Sequence, residues 1–196
     1  MKAVLIGNSE ARQTTDAFAK ARAMLSDRGV QLVSTDLVGD HRDLRRRVRR
    51  ALKKGARLVI VGGGDGTMTA AAGELAKSRA VLGVLPLGTG NSFALSLGIT
   101  DLDVAVEAIV AGREVAVDLG SVNGTYFANF ATIGLSSTIA RATPNWLKKV
   151  VGAAAYILAG VVPGLRSHPF RCQVRAGKRK IAFRTFQVIV ANGRYF

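Results

Sequence analysis

The sequence predicts an α/β protein. Residues 1–112 read as a Rossmann-like open parallel sheet with helices on both faces, and residues 113–196 as an incomplete β-rich second domain. Three observations predict this. Short apolar, β-branched runs alternate with helical periodicities, the pattern of repeated βαβ units. Two of these runs end abruptly in glycine loops, Gly62-Gly63-Gly64-Asp65-Gly66-Thr67 and Pro86-Leu87-Gly88-Thr89-Gly90-Asn91. After Gly112 the periodicity changes from helical to alternating, and Asn123-Gly124 supplies a hairpin turn signal.

Taken in order, Lys2 to Ile6 is the first strand, ending at Gly7-Asn8-Ser9. Thr15 to Arg28 carries Phe18, Ala21 and Leu25 at helical spacing and is closed by Gly29. Val30 to Ser34 is the second strand, with Thr35 directly after it. Arg42 to Lys54 places Leu44, Val48, Ala51 and Leu52 on one face and a dense row of basic residues on the others. That surface reads as a solvated helix face or as a footprint for lipid headgroups or nucleic acid; the lack of interleaved aromatics argues against single-stranded nucleic acid. Arg57 to Val61 and Val81 to Leu85 are buried-strand patterns, each running through a glycine loop into a helix: Met68 to Leu75, then a stretch with Phe93, Ala94 and Leu97. Leu102 to Ala111 is a further helix. Strands are expected over Arg113–Val122, Thr125–Ala131, Phe170–Ala176 and Ile181–Val190, with Ser137–Leu165 mostly helical around Pro144, Trp146, Tyr156 and Leu158, up to Pro163.

Strand, glycine loop and helix together offer bare backbone N–H groups and a helix N-terminus to an anion, typically a phosphate. Asp65 repels a phosphate, so its presence makes sense if a divalent cation bridges the two or if it takes a proton. In a parallel sheet with right-handed crossovers both loops emerge at one carboxyl edge. Neither fits the commonest templates. No G-x-x-x-x-G-K-[ST] is present, and Thr69 and Phe93 stand where a dinucleotide fingerprint needs its third glycine.

Gly63-Gly64-Asp65-Gly66-Thr67 followed by Pro86-Leu87-Gly88-Thr89-Gly90-Asn91-Ser92-Phe93-Ala94 resembles the catalytic domain of the diacylglycerol kinase family, which includes bacterial lipid kinases and sphingosine and ceramide kinases. The first motif alone is shared with NAD kinases and phosphofructokinases; the pair at this separation is specific. The resemblance continues through Val117-Asp118-Leu119-Gly120, Tyr126-Phe127-Ala128-Asn129 and Gly134-Leu135 to Val190-Ala191-Asn192-Gly193-Arg194-Tyr195. It implies an ATP- and magnesium-dependent transfer of a γ-phosphoryl group to a lipid hydroxyl. Gly63, Gly64, Gly66 and Thr67 would hold phosphate, Gly88, Thr89, Gly90 and Asn91 would line the adenine or ribose side, and Asn8 and Thr35 would reach the nucleotide from neighbouring strand ends. Asp65 would contact magnesium and serve as base, with Asp118 the second choice. Asp65→Asn is then expected to abolish transfer and leave the fold intact. The chain departs from the family pattern in three places. The first loop, Gly7-Asn8-Ser9-Glu10-Ala11, lacks a proline and a closing glycine, and Ala70 and Ser92 stand where many relatives carry acids; members of the family usually continue past the position of Phe196 and are expected to carry an Asp-Gly-Glu motif there.

Charge and cysteine content bound the partners. Net charge is +15, from 28 Lys and Arg against 13 Asp and Glu, which favours anionic partners. No Asp or Glu follows Asp118, while 11 Lys and Arg do, so the second half cannot supply a side-chain carboxylate. The single cysteine, Cys172, excludes an internal disulfide framework. The longest nearly uncharged apolar stretch, Val150–Val162, is shorter than the roughly 18–20 residues that span a bilayer. The expected setting is cytoplasmic and peripheral on a membrane, with a lipid substrate, a homodimer partner and no nucleic acid. Two other readings remain open: an NAD-kinase-like phosphotransferase, and a non-catalytic basic module on anionic membrane or nucleic acid.

Overall fold

The computed structural model describes residues 1–9, 12–134 and 168–193. The helix expected over Ser137–Leu165, with Trp146, Tyr156 and Leu158, lies outside them. The chain forms two compact units, Met1–Phe130 with Ala191–Phe196, and Ala131–Val190. The compositional change at Gly112 falls inside the first.

The first unit is built on four parallel strands, β1 (Lys2–Asn8), β2 (Gln31–Val38), β3 (Leu58–Gly63) and β4 (Val81–Pro86), in the order β2-β1-β3-β4. Registers run Leu5 to Thr35, Leu5 to Ile60, and Ile60 to Gly83. Strand side chains alternate between faces, and both faces are covered. Ala3, Leu5, Ile60 and Leu85 meet Phe18, Ala21 and Leu25 of α1 (Arg12–Asp27) and Ala105 and Val106 of α5 (Leu102–Val110). Val4, Ile6, Val59, Val61 and Val84 meet Leu44, Val48 and Ala51 of α2 (His41–Lys53) and Met68, Ala71 and Leu75 of α3 (Asp65–Leu75). Double coverage is why β1, β3 and β4 read as continuous apolar runs, while β2 at the edge does not.

The order β2-β1-β3 has a functional consequence. The chain leaves β1 toward one side for β2 and returns to the other side for β3, so the connections after β1 and β3 diverge. Open parallel sheets bind ligands at such a switch point, beyond the carboxyl ends of the strands. The ends concerned are Asn8 and Gly62–Gly66.

Beyond α5, β5 (Gly120–Val122) and β6 (Thr125–Phe127) form the expected hairpin, with Asn123 at φ 49° and Gly124 at φ 77°, the pair of positive angles a two-residue turn needs. The strand expected from Arg113 begins only at Gly120. Residues 113–118 alternate in sequence but are exposed, Val115 by 70%, with no ladder partner among the described residues. In the second unit β7 (Phe130–Gly134) pairs with β10 (Gln187–Ala191), and β8 (Phe170–Ala176) runs antiparallel to β9 (Arg179–Thr185). The single strand expected over Ile181–Val190 is two. Thr185 Oγ1 donates to the Gln187 carbonyl and accepts from the Gln187 N–H, which turns the chain locally and interrupts the ladder at Phe186.

Candidate active site

The first glycine loop is short because α3 starts at once. Gly64 is its N-cap and offers no side chain, and the first intrahelical bond runs from the Met68 N–H to the Gly64 carbonyl at 3.0 Å. The leading N–H groups of α3 therefore receive no cap from Gly64, at the positive end of an eleven-residue helix. Asn8, buried at the end of β1, donates from Nδ2 to Thr67 Oγ1 at 3.3 Å and ties the two sides of the switch point together. Thr67 is itself 3% exposed, so its hydroxyl braces the loop from behind.

The second glycine loop lies directly against the first. The Leu87 N–H donates to the Gly63 carbonyl at 3.2 Å. A Cβ on Gly88 would fall 2.3 Å from the Gly64 Cα, so the two backbones touch with nothing between them. Asn91 sits in the left-handed region at φ 53° and folds back on its own loop: its Oδ1 accepts from the Gly88 N–H at 2.9 Å and its Nδ2 donates to the Gly88 carbonyl at 2.8 Å. Its amide shapes the loop.

Asp65 bridges the loops. Its Oδ2 accepts from the Ser92 N–H at 3.1 Å, and its Oδ1 from the Phe93 N–H at 2.8 Å and from Asn129 Nδ2 at 2.9 Å. The first two donors are the opening N–H groups of α4 (Ser92–Ser96). Asp65 thus caps α4 from another element, and the second helix N-terminus is already occupied by a carboxylate. The anion-receptive character expected of both loops holds for the first alone.

Asp65 has no basic partner among the described residues and is partly open to solvent. A carboxylate carries about four lone-pair sites. Three are used, and the one left is on Oδ2, which faces Gly90. No cluster of three or more His, Cys, Asp or Glu occurs among the described residues. One carboxylate position suits magnesium, which commonly takes one or two carboxylates and completes its octahedron with phosphate oxygens and water.

The sequence-predicted residues divide accordingly. Asn8, Gly63, Gly64, Asp65, Gly66, Thr67, Gly88, Thr89, Gly90 and Asn91 come together at one carboxyl edge. Thr35 does not. It lies within β2, three residues short of the strand's end, and lines a hollow of about 490 Å³ with Phe18, Ala19, Arg22 and Leu37 beneath α1. Asp118 is exposed, and among the described residues its backbone carbonyl is engaged, by Asn192 Nδ2 at 2.7 Å. For Asp65→Asn the three donors to the carboxylate add a cost to stability in a chain still expected to fold. An asparagine has one acceptor oxygen for three donors, and its NH₂ would face one of them. His41, which opens α2, and Asn129 were not anticipated. The imidazole of His41 stands 3.1 Å from where a Gly66 Cβ would be. Both residues are distant in sequence from the loops.

Residues 2–122 match the diacylglycerol kinase catalytic domain. The chain belongs to that family. Over 180 residues it is 35% identical to the "Probable lipid kinase YegS-like" of Citrobacter koseri, covering 89% of this chain and 60% of that protein. A "Probable lipid kinase YegS" of Escherichia coli O157:H7 is 37% identical over 158 residues, covering 78% and 53%. Two solved structures from Bacillus anthracis str. Sterne, one of them described as a diacylglycerol kinase, superpose with TM-scores of 0.79 and 0.72 at 26% and 25% identity. They cover 100% and 99% of this chain but 66% and 65% of theirs. This chain therefore spans about three fifths of the lipid kinase relatives it matches. Membership of the diacylglycerol kinase catalytic domain family accounts for the paired glycine loops and for the α/β fold that carries them.

Proposed function

We propose that this chain is the nucleotide-binding part of an ATP-dependent lipid kinase that transfers a γ-phosphoryl group to a lipid hydroxyl, of diacylglycerol type. One observation carries the reading: an uncapped helix N-terminus on a glycine loop at the sheet's switch point, with a second loop packed against it and a carboxylate between them. The triphosphate lies on the leading N–H groups of α3, with Gly63, Gly64 and Gly66 allowing its approach. Asp65 would hold magnesium, directly or through water, and the ion would supply the charge neutralisation that lets a phosphate sit beside this carboxylate. Asn8 and Thr67 keep the loop in place.

The lipid is met at a membrane surface by peripheral contact. No helix among the described residues is long and apolar enough to cross a membrane. The basic face of α2 is partly neutralised by ion pairs, Arg47 to Asp36 at 2.7 Å and Arg45 and Arg49 to Glu74 at 3.6 and 3.5 Å. Arg50, Lys53 and Lys54 form no ion pair among the described residues and remain available to an anionic leaflet, as does Arg42 beside Asp40. Each basic residue near such a leaflet contributes about 1 kcal/mol.

The test is thermal unfolding of the purified chain with ATP, with and without magnesium, followed by transfer of labelled phosphate to diacylglycerol in vesicles. At a ligand concentration a hundredfold above Kd, binding stabilises the native state by about 2.7 kcal/mol, a shift of several degrees. We expect the shift to require magnesium and transfer by this chain alone to be weak. No shift at millimolar MgATP overturns the reading, and phosphorylation of NAD in preference to lipid moves it to the NAD kinases.

A further inference from the structure

Asp65 is held on a third side by a residue outside both glycine motifs. Asn129, 8% exposed, lies between β6 and β7 and donates from Nδ2 to Asp65 Oδ1 at 2.9 Å. A carboxylate only accepts, so the amide must present its nitrogen there, and chemistry fixes its orientation. The amide oxygen Oδ1 is left buried with no hydrogen-bond partner among the described residues. A residue serving packing alone would be apolar at this place, because an unpaired buried acceptor is unfavourable. The asparagine earns its position through the bond its nitrogen makes.

Asn129 is clamped in turn by the end of β10. Its carbonyl accepts from the N–H groups of Asn192 at 2.7 Å and Gly193 at 3.0 Å. The Asn192 side chain donates from Nδ2 to the carbonyls of Ala128 at 2.8 Å and Asp118 at 2.7 Å. Three backbone segments, at 118, 128–129 and the distant 192–193, are thereby joined.

We propose that Asn129 is a positioning residue for Asp65, and that Asn192 sets Asn129. The relay from Asn192 through Asn129 fixes the Asp65 rotamer that spans the two glycine loops. Through it the return of the chain after β10 determines whether the carboxylate faces the phosphate site. Its catalytic meaning rests on the lipid kinase reading; its structural part does not.

The test uses the full chain and needs no nucleotide. In Asn129→Leu, similar in size and without the unpaired oxygen, the melting temperature stays level or rises. The Ser92 and Phe93 amides, which Asp65 bonds, exchange with solvent at least about tenfold faster, and their proton resonances move upfield. Amides of β1 and β3 keep their protection. Asn129→Asp sets two carboxylates face to face and gives a larger local effect with a lower melting temperature. Asn192→Ala reproduces the local effect at Ser92 and Phe93, and it serves as the test should Asn129→Leu fail to fold. Unchanged exchange at Ser92 and Phe93 in the folded variants overturns the proposal, as does faster exchange spread evenly over the sheet. If MgATP stabilises the wild-type chain but these local changes are missing, the relay falls alone. If they appear and MgATP does not bind, the kinase reading falls alone.

Discussion

Gly88→Ala tests whether the two glycine loops meet backbone to backbone. The added Cβ would lie 2.3 Å from the Gly64 Cα and 2.8 Å from the Gly64 N, against a normal carbon separation of about 3.5 Å or more. Neither atom can rotate away, so the β3 and β4 ends must part by about 1 Å. Asp65 reaches across that junction to the Ser92 and Phe93 N–H groups at 3.1 and 2.8 Å, and parting the loops stretches both bonds toward the limit of hydrogen bonding. Overpacking of this kind costs about 1–3 kcal/mol, which lowers the melting temperature of a domain of this size by roughly 2–12 °C. The partner position is an internal control. A Cβ on Gly64 meets its nearest atom, the Gly88 Cα, at 3.4 Å, an ordinary contact, and Gly64 sits at φ −91°, which alanine adopts freely. Gly64→Ala should therefore fold normally while weakening the MgATP shift, because its methyl stands at the α3 N-terminus. Differential scanning calorimetry of both variants decides the matter. Equal melting temperatures for wild type and Gly88→Ala would refute the packing argument.

Three further substitutions probe other parts of the unit. Ile60→Ala, at a side chain with no exposure between Leu5 and Leu85, should cost about 2–5 kcal/mol, seen as a melting temperature lower by roughly 4–20 °C. Asp65→Asn leaves one of three donors facing an NH₂ and should cost about 1–3 kcal/mol in urea titration, so lost transfer in that variant reports position as well as chemistry. Asp101 caps α5, and the bond it accepts from the Val104 N–H, helped by the Thr100 hydroxyl, holds its carboxyl below the ordinary 3.8. A carboxyl depressed by folding stabilises above its unfolded pKa and loses that contribution as pH falls through its folded value. Asp101→Ala should therefore melt lower than wild type at pH 7, and the gap should close as pH drops below 3.8.

The sheet and its two loops were legible because double burial writes strands as unbroken apolar runs and because glycine is required where two backbones touch. Val59-Ile60-Val61 into Gly62-Gly63-Gly64 announces both facts at once. The end of β2 was not legible. Ser34-Thr35-Asp36 looks like the start of a loop, yet an edge strand with one open side accepts polar residues, and β1 pairs with it as far as Val38. That extension draws Thr35 back from the strand end and away from the loops. Asn129 was hidden for a different reason. Its contact with Asp65 spans 64 residues and exists only because the hairpin after α5 lies against α3, a tertiary fact that periodicity does not encode.

The deepest difference concerns Asp65, and it follows from counting donors. Sequence presented two strand–loop–helix turns, both open to an anion, with the phosphate assigned to the first and one acid beside it. In the fold the acid belongs to the second cradle as its ligand. The opening N–H groups of α4, a helix of five residues, are spent on a carboxylate fixed to the first loop. A phosphate placed there would lose those donors and meet a like charge at contact distance. The eleven residues of α3 open on Gly64, an N-cap residue with no side chain to bond their N-terminal groups. On the proposed reading, an anion arriving at this edge is seated at α3, flanked by a negative charge that it tolerates with a cation alongside. The second loop's part is to hold that charge in register with the seat, which is why its contact with the first is made through glycine.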